Sequence, residues 1–154
     1  MQSGELNPSQ RSLELTASMD CWDDLFGFVQ DEAHRCLQGH AKEYALVLAC
    51  EELISNMIRY NSGLREDGSP VTIRILSTVL GDSLSGVYQL QISDNGPVFD
   101  PCFESLDTSM SEIPIEERKI GGLGLFLIKT SVDRVAYSYL DGRNLYTIET
   151  ELGA

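Results

Sequence analysis

The stretch EELISNMIRY, residues 51–60, sets Glu52 and Asn56 four positions apart in an otherwise apolar run. At about 100° per residue the two lie about 40° apart on a helix, and Arg59 falls within about 20° of Glu52. Leu53, Ile54, Met57 and Ile58 point largely elsewhere and read as core. Such a helix has an apolar side for packing and a polar stripe for another task. Read alone, the stripe is equally a solvated face of i, i+3 and i, i+4 pairs. A second group, Asp94-Asn95-Gly96, closes an apolar stretch. An Asp at a strand end can accept a hydrogen bond from a ligand amino group, and the Gly beside it lets a ligand approach the backbone. The plainer alternative is an Asx turn leaving a strand. A third group, Gly121-Gly122-Leu123-Gly124-Leu125, runs into a helical pattern. Backbone N–H groups at a helix start favour anions, and glycines clear space for them. A hinge before a buried helix is the alternative. The run matches neither a Walker A loop nor a dinucleotide-binding fingerprint.

These groups need elements to hold them. RSLELTA alternates and reads as a strand. A helix follows, opening with a Ser/Asp cap and carrying Trp22, Leu25, Phe26, Val29, Ala33 and Leu37 at helical spacing, with Gly39 as its stop. A second helix runs from Ala41 to Tyr60. VTIRILSTVL and GVYQLQIS form a hairpin around GDSLSG, and RVAYSYL and LYTIETEL form another around DGRN. Residues 100–120 hold acids and prolines with little periodicity, which marks a long loop of the functional or mobile kind. The order β-α-α-β-β-loop-α-β-β predicts an α+β fold: a two-layer sandwich of a mixed, mostly antiparallel sheet with helices on one face. Residues 1–10 read as a flexible N-terminus and 11–154 as one domain.

Composition narrows the partners. The net charge of −13 repels a phosphate backbone, so direct nucleic-acid binding is not expected, whereas a partner with a basic face is suited. The four cysteines, Cys21, Cys36, Cys50 and Cys102, form no metal-ligand or C-x-x-C pattern and read as free thiols in a reducing cytoplasm. No signal peptide or membrane-length apolar run is present.

Together and in this order, the three groups resemble the Bergerat-fold (GHKL) ATPases. Within them the chain is similar to the anti-sigma-factor serine/threonine kinases, through EELISNMIRY, DNGPVFDP and IGGLGLFLIKTSVDRVAYSYLDGRNLYTIE. The resemblance implies ATP and Mg²⁺ as ligands. Glu52 would match the catalytic base, and Asn56 a Mg²⁺ ligand in a shell otherwise of phosphate and water. Asp94 would read the adenine amino group, with Gly96 beside it. Gly122 and Gly124, with Leu123 between them, would lie against the phosphates, and Thr147 near the adenine. Residues 100–120 would form the lid. Arg118 and Lys119 at its end would meet the γ-phosphate or simply keep the lid soluble. Arg59 reads as an ion-pair partner on the helix. The implied substrate is an anti-anti-sigma (STAS-type) protein, the second partner is a sigma factor, and homodimers occur in the family. Two departures bear on the subfamily. Tyr60 stands where some members have His, and Val98 replaces a frequent Pro.

A nucleotide-dependent binding switch without phosphoryl transfer is the alternative, against which an intact Glu52 argues. A histidine-kinase-type catalytic domain ranks below it, because His34 and His40 lie inside the domain and little sequence precedes the first strand.

Overall fold

A computed structural model of the chain describes residues 10–39, 41–61, 67–81, 85–98 and 132–153. Period-two alternation builds five strands: β1 (Gln10–Thr16), β2 (Thr72–Leu80), β3 (Val87–Asp94), β4 (Arg134–Leu140) and β5 (Arg143–Glu151). They form one sheet in the order β1-β2-β3-β5-β4, and every pairing is antiparallel, the limiting case of the expected mostly antiparallel sheet. Helices α1 (Trp22–Leu37) and α2 (Glu43–Asn61) supply the second layer.

Register fixes which residues meet. The rows Leu13–Ile75–Ile92–Tyr146 and Ser77–Leu90–Ile148 run across the sheet on one face. That face joins Leu25, Val29 and Ala33 of α1 and Leu46, Ala49, Leu53 and Ile54 of α2 in one core. A Leu or Ile fully withdrawn from water contributes about 1.5–3 kcal/mol. The opposite face carries Arg74, Gln89, Gln91, Thr147 and Glu149, with the ion pairs Arg74–Glu14 at 3.2 Å and Arg134–Glu149 at 2.8 Å. Exposed pairs of this kind contribute about 0–1 kcal/mol each. The alternation thus divides the sheet into a packed face and a polar one, as α+β layering requires.

Local chemistry differs from the expected pattern at three places. Ser18 makes no side-chain cap; a short 3₁₀ turn (Met19–Cys21) leads into α1 instead. That helix ends on two left-handed residues, Gln38 at φ 48° and Gly39 at φ 82°, with the Gln38 N–H donating to His34 O at 2.8 Å. The second hairpin turns on Asp141 (φ 54°) and Gly142 (φ 76°) alone, so Arg143 and Asn144 belong to β5 rather than to the turn. Two residues with positive φ suit the twist of a two-residue hairpin loop.

Burial also sets the chemistry of the core polar groups. Cys50 is fully enclosed, which pushes its thiol up to about 12 and leaves it inert. Tyr88, likewise enclosed, shares a hydrogen bond of 2.9 Å with the Ser77 hydroxyl. Removing the phenol oxygen in Tyr88→Phe is expected to cost about 1 kcal/mol of stability, read as a lower urea midpoint with an unchanged slope.

Candidate functional site

Helix α2 brings its polar stripe to the end of the sheet where β3 stops. Leu53 and Met57 turn their apolar sides inward, and Asn56, between them, is only 4% exposed. A merely solvated stripe would leave Asn56 in water; here it is enclosed. Its Oδ1 accepts a hydrogen bond from Arg59 Nη1 at 2.9 Å, and its Nδ2 is buried without a hydrogen-bond partner. A guanidinium only donates, so the atom it holds is the amide oxygen, and the nitrogen is the one left unpartnered. The expected ion-pair role of Arg59 is therefore corrected: its partner is the Asn56 amide. Glu52, one turn earlier, is half-buried.

Strand β3 ends on Asp94, 3% exposed. Its Oδ1 accepts from the Gly96 N–H at 2.9 Å and from Asn144 Nδ2 at 3.0 Å, and the Asn61 side chain donates to the same carboxylate. The Asx turn is thus formed, and the same carboxylate also faces the cleft. Burial pushes the Asp94 carboxyl above the usual aspartate range, against the lowering by Asn144, the Gly96 amide, Arg143 and Asn61. Asn95 turns away from the cleft and accepts from the Thr72 N–H at 2.8 Å, anchoring the start of β2.

Asn56, Asp94, Tyr60, Asn61 and Tyr146 line a cavity of about 30 Å³ with Leu53 and Met57. That space takes one small polar group, such as an amine, while a larger ligand extends beyond it. Gly96 also has a packing role. A Cβ there would collide with the Asn61 side chain and lie 3.2 Å from Asp94 Oδ1, so its missing side chain makes room for Asn61. Gly96→Ala is expected to displace Asn61 from Asp94, lowering stability by about 1–2 kcal/mol, measurable by thermal unfolding.

Thr147 is not in the cleft. It pairs with Gln91 on the polar face of the sheet, while its neighbours Tyr146 and Ile148 point into the core. Strand alternation puts Tyr146, not Thr147, beside Asp94. Gly122, Leu123, Gly124, Arg118 and Lys119 lie outside the described residues, as does the expected lid at 100–120.

Sequence reasoning missed Asn61 and Tyr146 as cleft residues and Asn144 as the support of Asp94. The signal for Asn144 is the Asp141-Gly142 pair: a two-residue turn there restarts the strand at Arg143 and brings Asn144 opposite Asp94. Among the described residues no cluster of three or more His, Cys, Asp or Glu could hold a metal. A hard cation at this site would be held by one protein oxygen with ligand and water supplying the rest. The Asn56 carboxamide fits that description once its oxygen is released by Arg59.

A buried orphan amide and a buried aspartate in one cleft at the end of β3 make a nucleotide-site candidate, and the family comparison agrees. The histidine kinase-like ATPase domain family matches residues 23–148, and the chain belongs to that family. The chain is similar to the Serine-protein kinase RsbW of Listeria monocytogenes serovar 1/2a, with 36% identity over 104 residues, 63% of this chain and 59% of the relative. It is 35% identical to the Serine-protein kinase RsbW of Listeria innocua over the same share of each chain. The chain therefore spans about three fifths of the length of the curated relatives it matches.

No helix among the described residues is long and apolar enough to cross a membrane.

Proposed function

We propose that the chain is a cytoplasmic, ATP-dependent protein serine/threonine kinase that acts as an anti-sigma factor. The observation that carries this reading is Asn56: enclosed, one nitrogen without a partner, and in the same cleft as Asp94. Burying an amide nitrogen that way is costly unless an acceptor, such as a phosphate oxygen, completes it. That the relatives are serine-protein kinases by name supports serine as the acceptor.

Asp94 accepts the adenine amino group, and Tyr146 and Met57 form the wall beside it. Asn56 would hold Mg²⁺, which when bound neutralises charge developing on the phosphates. Gly122, Leu123 and Gly124 are proposed to cradle the phosphates with their backbone, and Arg118 to approach the γ-phosphate. Glu52 orients the acceptor hydroxyl and takes its proton as the phosphoryl group transfers. The substrate is a STAS-type anti-anti-sigma protein, whose phosphorylation frees this chain to hold a sigma factor. The acidic surface suits a partner with a basic face. The alternative, a nucleotide-dependent switch without transfer, draws on Arg59, which keeps the Asn56 oxygen from a cation.

The test is calorimetry of ATP and ADP binding with and without Mg²⁺, then transfer of labelled γ-phosphate to a STAS-type protein. Mg²⁺-dependent ATP binding with transfer supports the kinase. Binding without transfer supports the switch, and absence of ATP binding removes both.

A further inference from the structure

We infer that Tyr137 and Asn144 form a hydrogen-bonded relay that fixes Asp94 as an acceptor and so selects a purine with a 6-amino group over one with a 6-oxo group. The inference rests on the nucleotide reading above and adds two positioning residues to it. Asn144 is 1% exposed and sits directly opposite Asp94 in the β3–β5 register. The Tyr137 hydroxyl donates to Asn144 Oδ1 at 2.6 Å. Asn144 Nδ2 donates to Asp94 Oδ1 at 3.0 Å and to Pro97 O at 2.8 Å.

This arrangement has one workable polarity. A carbonyl oxygen and a carboxylate oxygen are both acceptors, so the side of Asn144 that meets them must be its nitrogen. Turning the amide over would set three acceptors against one another in a water-poor site. Tyr137 then faces the amide oxygen and must donate. The Tyr146 ring, 5.2 Å from the Tyr137 ring and tilted by 56°, shares this wall and also lines the cavity.

The consequence falls on Asp94. Donors from Asn144, Gly96 and Asn61 take about three of roughly four lone-pair positions on the carboxylate and favour its charged form against the larger opposing effect of burial. A ligand group arriving there meets an acceptor. An exocyclic amine donates to it, whereas an oxo group at the same place meets like partial charge. Without the relay, the carboxyl can take a proton and donate to an oxo group, and the preference weakens.

The experiment compares ATP with inosine triphosphate by calorimetry, on wild type, Asn144→Ala and Tyr137→Phe. Wild type is expected to prefer ATP. The ATP-to-inosine-triphosphate affinity ratio is expected to fall about tenfold in Asn144→Ala, the loss of one charge-assisted hydrogen bond, and by a smaller factor in Tyr137→Phe. A purely structural role lowers both affinities together and leaves the ratio alone. An unchanged ratio in both variants overturns the relay while leaving the nucleotide site standing. Equal binding of the two nucleotides by wild type also overturns the relay. Failure of wild type to bind ATP overturns the relay and the nucleotide reading together. Tyr137→Phe loses a single hydroxyl, so it decides the matter if Asn144→Ala does not fold.

Discussion

Glu52→Ala will bind ATP with near wild-type affinity yet transfer phosphate at least about 100-fold more slowly, and up to about 10,000-fold, the range a positioned general base contributes. The assay is labelled γ-phosphate on a STAS-type acceptor that wild type phosphorylates, with ATP affinity measured on the same preparation. Glu52 is half-buried on α2, one turn before Asn56, and is not part of the Asp94 cavity. Its loss should therefore spare the base-binding end. Transfer at the wild-type rate would remove Glu52 from the chemistry. Loss of ATP affinity of the same size would instead make it a binding residue.

Asn56→Ala separates function from stability in the opposite way. Its Nδ2 is buried with no hydrogen-bond partner, so deletion removes an unsatisfied polar group rather than a satisfied one. The remaining loss is the Arg59 hydrogen bond, and Arg59 is exposed and can turn to water. The unfolding temperature should therefore move by only a few degrees. Mg²⁺-dependent ATP affinity should fall on the order of 100-fold, as loss of a metal-holding or metal-orienting residue commonly causes. A large drop in unfolding temperature with unchanged ATP affinity would make Asn56 a structural residue and leave the cleft without its cation ligand.

The sequence makes some of this legible and hides the rest for physical reasons. Strand alternation and helical spacing give the layers because burial enforces them: Ile92, Ile148 and Leu46 are fully enclosed where the pattern puts them. Glu52 and Asn56 are visible because one helix carries both, so their relation is local. Asn61, Asn144 and Tyr146 are not, because each meets the cleft or its Asp94 only through cross-sheet register or helix–sheet packing. Thr147 shows how narrow the margin is. One residue along a strand exchanges the core for the polar face, so Tyr146 enters the cleft and Thr147 does not. Gly96 shows a second limit. The need for a residue without a side chain is legible, but what fills the space is Asn61, known only from the packing.

The cleft draws its polar groups from α2, from the end of β3 and from the β4–β5 hairpin, segments far apart in the chain. Pairing them closes long loops, an entropic cost met before any cleft contact repays it. Parting of the hairpin from β3 would take Tyr146 from the cavity wall and Asn144 from Asp94, even while α1 and α2 stay packed. A nucleotide that binds only the closed arrangement holds that hairpin in place by mass action, adding about 2.7 kcal/mol at a hundredfold excess over its dissociation constant. Amide exchange along β5 should slow in its presence. Occupancy would then be written into how often one edge of the sheet comes loose.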